Sequence, residues 1–535
     1  MAVPSTGTVA ARRRPGRPPA LLLVPAIAVA VAVALVALAW WPAGSVVRGA
    51  GKDSVAILGG APTTLDPVAQ GDVATAAVTA QVYESLTAFD PSLVLRPALA
   101  ASWDVSQGGK RVVFHLRPGL TFSDGSPLTP ADVVRSWLRI IDPNSPSPLA
   151  SLMNDVAGAA DFLAGRTSDP STVGLAANGS DVEVTLAHPA AQFPSIVASP
   201  TFGIVPAGGK LDGSVGSGGY TVSARTDSEV TFAANGRYWA GPPAIKTVHL
   251  LTSISGRSPV DAFDSGDLDY TSIGDFDASW IAYDPTLGPD LRSVPSLSVE
   301  YLGFDVRQHP FDDVRVRRAL ALAVDWGRLV ELAATGTETP ATGMVPPGIP
   351  GGPDGDFGQH ADPAQAKQLL AAAGYPGGAG FPAVTYLSGG ADVDEGVLAQ
   401  LHDVLGVTVH YETMDFNDYF IRLASDPPAI WSLSWSADYP GPNDFLGVLL
   451  GSNQSNNYGH WSSPAFDAAI AEAGAAGDPA AETAAYAKAE GIVQQDAPVI
   501  PIENGSGWAL ARPGLLGATD AGLGFIRFAG LAWSP

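Results

Sequence analysis

Trp435–Leu446 reads WSADYPGPNDFL. It sets an acid, Asp438, between two aromatics, Trp435 and Tyr439, ahead of a Pro-Gly-Pro that neither a helix nor a central strand can run through. Aromatic walls offer apolar area and a face for cations. A carboxylate beside them can pair with an ammonium group, and the pair strengthens where water is excluded. The chemistry on offer is recognition of an amine. The competing reading is structural, an aromatic corner whose surface acid caps the turn.

Other chemistries lack their residues. There is no G-x-S-x-G elbow and no H-E-x-x-H helix, and Gly208-Gly209-Lys210 lacks the spacing and the following hydroxyl of a phosphate loop. The eight histidines are scattered, and with no cysteine there is neither a disulfide frame nor a thiolate metal site. These features predict no enzyme, no metal and no cofactor. A net charge of −24 leaves no basic surplus to neutralise phosphates, which argues against nucleic acid as a partner.

The elements that must position the acid come from a chain of 535 residues, long enough for two or three domains. A 46% hydrophobic composition with 12 Trp argues for a globular body, and 60 Gly with 46 Pro for many short elements. Arg12, Arg13, Arg14 and Arg17 precede an apolar run from Leu21 to Trp41, about the 20 residues that cross a bilayer as a helix. A retained membrane anchor and a cleaved signal peptide are the two readings, and both put the body outside the cytoplasmic membrane.

Further on, Ser54–Gly59 reads as a buried strand and Ala74–Leu86 as a helix. Arg111–Leu116 and Leu120–Phe122 read as strands, and Thr129-Pro130 starts a helix that runs to about Ile141. Asp181–Leu186, Tyr220–Ala224, Glu229–Ala233 and Ile245–Leu251 alternate as strands do. Glu300–Phe304 is a strand, and Val314–Val324 a helix with Val316, Leu320 and Val324 on one face. Arg315, Arg317 and Arg318 fall elsewhere on that helix and read as a solvated surface. Helices from Asp362-Pro363, Ser463-Pro464 and Asp478-Pro479, with strands at Val384–Leu387 and Val407–Tyr411, complete an alternating α/β pattern.

Several segments in order resemble the extracytoplasmic solute-binding proteins of the peptide/nickel class (family 5), which feed ABC importers. They include PALAASWDVS (Pro97–Ser106), FHLRPGLTFSDGSPLTPADV (Phe114–Val133), GSGGYTV (Gly216–Val222), NGRYW (Asn235–Trp239) and PFDDVRVRRALALAVD (Pro310–Asp325). The WSADY segment is most similar to oligopeptide- and dipeptide-binding members. The resemblance implies a two-lobed α/β periplasmic-binding-protein-like fold of class II, cluster C type, with an extra subdomain inserted in the first lobe, after one N-terminal transmembrane helix.

On this reading residues 1–20 are a basic cytoplasmic tail and 21–41 the anchor or signal peptide. Lobe I comprises 54–87, 201–297 and 501–535, the inserted subdomain 88–200, and lobe II 298–500. The resemblance also implies that Asp438 holds a peptide's α-amino group and that Trp435 walls a side-chain pocket. Tyr301 would be a second aromatic, with Ser436 and Tyr439 beside the acid. Ser436 stands where some relatives have cysteine, and Arg422 is the nearest candidate for a ligand carboxylate. The implied partners are a peptide, the permease subunits of an ABC importer, and the membrane through the N-terminal helix, with the protein a monomer. Two alternatives stand beside this. One is the same fold holding a nickel chelate, opine or oligosaccharide. The other is a membrane-tethered, non-transporting relative that regulates cell-envelope biosynthesis.

Overall fold

The computed structural model describes residues 52–333, 338–414 and 416–535. The Leu21–Trp41 run and the basic tail before it, and so the anchor or signal peptide, lie outside the described residues. Among the described residues no helix is long and apolar enough to cross a membrane.

The chain opens with β1 (Ser54–Leu58), whose Val55, Ala56 and Ile57 are buried. Helix α1 (Val73–Val82) follows, N-capped by Asp72, whose carboxylate accepts from Thr75 N at 2.8 Å. A four-stranded antiparallel sheet comes next, built from β2 (Ala100–Ser106), β3 (Arg111–Leu116), β4 (Leu175–Asn178) and β5 (Asp181–Thr185) in the order β2-β3-β5-β4. Helix α2 (Pro130–Leu138) starts at a capping box between Thr129 and Asp132 and packs over it. Its fully buried Trp137 meets Phe114, Phe193 and Phe202 edge-on and donates from Nε1 to the Phe202 carbonyl at 3.2 Å. Leu120–Phe122 forms no strand, only a bridge from Thr121 to Pro127, because the Asp124-Gly125 turn folds that short arm back on itself.

A second, larger sheet runs through the whole molecule. After β6 (Tyr220–Arg225), β7 (Glu229–Ala234), β8 (Thr247–Leu251) and β9 (Tyr270–Ile273) comes a 14-residue strand, β10 (Leu291–Phe304). Then follow α3 (Val314–Ala323), β11 (Thr339–Pro340), α4 (Pro363–Ala372), β12 (Thr385–Ser388), α5 (Asp394–Leu405) and β13 (His410–Thr413). Strand β13 begins at the end of the expected Val407–Tyr411 because Val407 is drawn into the helical core instead. Helix α6 (Phe416–Ser425) leads to β14 (Ile430–Ser436), and α7 (Pro464–Gly474) and α8 (Pro479–Asp496) precede the 13-residue β15 (Val499–Ala511). The order is β13-β12-β14-β10-β15-β9-β1-β8-β7-β6, with β11 also on β15.

The two long strands explain the two-lobed α/β fold. Antiparallel to each other, β10 and β15 pair from Leu291↔Leu510 to Pro295↔Ser506 on the side of β9 and β1. They pair again from Val299↔Asn504 to Gly303↔Val499 on the side of β14. Between these stretches three residues of β10, Ser296–Ser298, are matched by one of β15, Gly505, so the ladder breaks register where the chain passes from one lobe to the other. The lobes have separate cores, one around Val55, Tyr220 and Phe232, the other around Phe304, Leu320, Tyr386 and Trp431.

Helix α3 corrects one expectation. Arg317 is 5% exposed, not part of a solvated face, and its guanidinium donates to the carbonyls of Phe311 (2.7 Å), Asp496 (2.7 Å) and Ala497 (3.2 Å). It thereby satisfies the C-terminal end of α8, where bare carbonyls concentrate negative charge.

Candidate functional site

Asp438 follows the end of β14, held by the Ala437 N–H donating to the Leu297 carbonyl at 2.9 Å, next to the register break. Pro440 and Gly441 turn the chain into a one-turn helix, Pro442–Phe445, which carries Asp444 in its first turn. Asp444 is wholly buried, and its Oδ2 accepts from Trp435 Nε1 at 3.1 Å and from Asp438 N at 3.0 Å. Tyr439 is 1% exposed, accepts at its hydroxyl from Asn443 Nδ2 at 3.1 Å, and joins the core of the four-stranded body.

These residues form one wall of a cavity of about 770 Å³. Ser434–Pro440 and Phe420 line it from the second lobe. The start of α1, with Gln70, Asp72 and Ala76, lines it from the first, together with Asp90, Tyr238, Trp239 and a C-terminal stretch that includes Phe525 and Arg527. A volume of this order suits a small extended ligand held among apolar walls with a few polar fixtures.

The charge in the cavity is uneven. Asp72, Asp90 and Asp438 line it, and Arg527 is the one Lys or Arg among the lining residues. Backbone and side-chain hydrogen bonds, with the Arg96 guanidinium 2.8 Å away, hold the Asp90 carboxyl below the usual range. Asp438 is the opposite case. As a residue it is half-buried, but its Oδ2 is enclosed and has no hydrogen-bond partner among the described residues, and burial pushes the carboxyl up to about 7. Arg527 stands 3.4 Å from the buried Glu84, which also accepts from the Tyr238 hydroxyl at 2.6 Å.

Of the residues expected from the sequence, Trp435, Ser436, Asp438 and Tyr439 come together on the wall. Tyr301 and Arg422 do not join them. Tyr301 is 1% exposed and packs edge-on against Trp431 with ring centroids 5.6 Å apart. Alternation on β10 puts Val299 and Tyr301 in the core with Trp431, Phe466 of α7 and Tyr486 of α8. Arg422 pairs with Asp426 one turn further along α6, while Phe420 of that helix reaches the cavity. Asp444, Asp72, Asp90, Tyr238 and Arg527 were not singled out from the sequence. Only Asp444 had a local signal, as an acid shortly after a helix-starting Pro within the same motif.

Comparison with known proteins bears on the family and the fold. A family model described as bacterial extracellular solute-binding proteins, family 5 middle, matches residues 94–457. A probable deoxycholate-binding periplasmic protein of Escherichia coli is 32% identical over 466 residues, 82% of this chain and 86% of its own. A periplasmic oligopeptide-binding protein of the same organism is 28% identical over 478 residues, 85% and 88% of the two chains. The solved Escherichia coli murein tripeptide-binding protein superposes with a TM-score of 0.76 at 25% identity, covering 91% of this chain and 99% of that one.

Proposed function

The chain belongs to the bacterial extracellular solute-binding proteins, family 5, and from that membership and the cavity wall we propose a receptor for peptides with a free N-terminal amine. Relatives carry names that specify deoxycholate, oligopeptides, glutathione and heme, so the ligand must be argued from this site. The observation that carries the reading is the enclosed, partnerless Asp438 carboxyl oxygen between Trp435 and Tyr439 on the cavity wall. An ammonium supplies the charge and the donors that such an oxygen lacks. Three lining acids against one arginine also favour a cationic ligand end over a bile-acid anion.

On this reading Trp435 walls the first side-chain pocket, Ser436 and Tyr439 shape it, and Tyr301 supports the wall from the core behind. The ligand carboxylate falls to Arg527, which lines the cavity, in place of Arg422, which does not. Residues 88–200, with their own four-stranded sheet, are the subdomain inserted in the first lobe, and the final crossing lies at the register break near Gly505 rather than at 501. The protein works outside the cytoplasmic membrane as the substrate-binding component of an ABC importer. It acts as a monomer, closing two lobes over the peptide and presenting it to the permease.

The test uses the folded protein and mixed peptides of about two to eight residues, with and without N-acetylation. A ligand that binds only the native state raises the melting temperature. The expected result is a rise that is lost on acetylation and in Asp438→Ala. A rise indifferent to acetylation overturns the amine anchor, and no rise with any peptide overturns the peptide reading.

A further inference from the structure

Behind Asp438 on the cavity wall lies a second acid, Asp444, which does not itself line the cavity. Asp444, 0% exposed, uses Oδ2 for the Trp435 indole and the Asp438 amide, and its Oδ1 has no hydrogen-bond partner among the described residues. Asp438 Oδ2 is likewise enclosed and partnerless. No hydrogen bond or ion pair among the described residues brings a Lys, Arg or His to either carboxyl.

The surrounding groups offer no relief. From the turn itself come Trp435, Tyr439 and Asn443, which are neutral. Behind Tyr439 lie Asp155, which burial raises and which has His188 near it, and Tyr486 of α8 with the burial-raised Glu482 beside it, so no basic group reaches the pair from there either. Across the cavity the lining supplies Asp72 and Asp90, and only Arg527 is basic. Two carboxylates taken from water into such a place cannot both ionise, because each charge lacks solvent and repels the other.

We propose that Asp444 is a positioning residue for ligand binding: together with Asp438 it keeps one proton in the ligand-free protein, and the ligand's ammonium takes that proton's place. This rests on the reading of Asp438 as the amine anchor. The exchange balances. Above about pH 7 one carboxyl of the empty site, Asp444, is neutral and the other ionised, giving one negative charge. On binding, the O–H bond of the neutral acid breaks and its proton passes to solvent. Two carboxylates and one ammonium then carry the same net charge. Burial raises both acids, Asp438 to about 7 and Asp444 well above the carboxylate range with Asp438 as a second cause, which is the direction the exchange needs.

The pair also filters amines. An ammonium donates three hydrogens to the site and an N-acetyl amide one, and only the cation can displace a proton without loss of charge balance. The Asp438 amide and the Trp435 indole, both anchored on Asp444, fix the distance between the two acids and the aromatic wall.

Two measurements test this on the intact protein at about pH 7.5, above the Asp438 value. The first needs no ligand. Infrared difference spectra should show the loss of one protonated-carboxyl band in Asp444→Asn, while Asp438→Asn should keep that band on Asp444. A band that survives in Asp444→Asn, or is lost in Asp438→Asn, overturns the proposal. The second is calorimetric titration with tri-alanine in buffers of different ionisation enthalpy. The wild type should release about one proton per peptide. Asp444→Asn keeps an oxygen for the indole and the amide, so it should still bind while releasing almost none. Binding without release in the wild type, or equal release in the variant, overturns the shared proton and leaves the amine anchor standing. Failure of tri-alanine to bind, with the infrared bands as expected, overturns the peptide reading while the shared proton stands.

Discussion

Asp438 is costly to the empty protein, and under the proposed reading a bound amine offsets that cost. Its folded pKa of about 7 lies above the ordinary 3.8, so the native state binds a proton more tightly than the unfolded chain does. Its contribution is therefore full below about pH 4 and falls away as pH rises through about 7. Asp438→Asn removes this loss. The ligand-free variant should melt higher than the wild type at about pH 8 and equally at about pH 4, read by scanning calorimetry. The same variant should lose at least about 100-fold in affinity for free-amine peptides, near 3 kcal/mol. The motif made this residue's place legible in the sequence, since a Pro-Gly-Pro must turn the chain just after it, and the turn lies on the cavity wall. Tyr301 was not legible as a core residue. Whether an aromatic on a strand faces a cavity or a helix layer depends on which side the helices cover, and periodicity alone is symmetric between the two. Arg527 could not be found either, because it reaches the cavity from the chain's far end, more than 400 residues beyond the helix it faces.

At the scale of elements, helix starts were written plainly. Asp362-Pro363, Ser463-Pro464 and Asp478-Pro479 each begin a helix where capping chemistry says they should, with the acid or hydroxyl accepting from the first turn. Helix ends were less so, because the partners that close them come from elsewhere. The C-terminus of α8 is closed by Arg317 of α3, about 180 residues earlier in the chain. Arg317→Met keeps the buried stem but leaves three carbonyls without their donors. It should cost about 3 kcal/mol, seen as a lower urea midpoint with an unchanged slope. Arg315→Met, on the exposed side of the same helix, should cost about 0.5 kcal/mol or less.

For the whole molecule, buried acids add up. Glu490, 2% exposed, is raised to about 7 by burial although it accepts from Met344 N and Val345 N. Glu300 and Glu503 face each other across β10 and β15, and both are raised to about 7, first by burial and then by neighbouring acids. Asp520 rises to about 6 by burial, against the pull of four backbone N–H groups. Every one of these groups is an acid with a raised folded pKa, so the stability it contributes is lost between about pH 4.5 and 7. The ligand-free protein should melt several degrees higher at about pH 5 than at about pH 8. Below about pH 4 the trend should reverse, as carboxyls held low by partners, such as Asp313 beside Arg315, take up protons. A flat melting profile over this range would contradict the set.

The passage between the lobes has a mechanical meaning. Both crossing strands, β10 and β15, lie side by side and are hydrogen-bonded above and below the register break. A two-stranded ribbon stretches and shears with difficulty, since either motion tears its ladder, but it twists easily where the ladder is interrupted. The lobes are thus joined by a torsion bar rather than by a pair of loose tethers. Their relative motion reduces to a single angle, and a ligand in the cavity needs only to select one value of it.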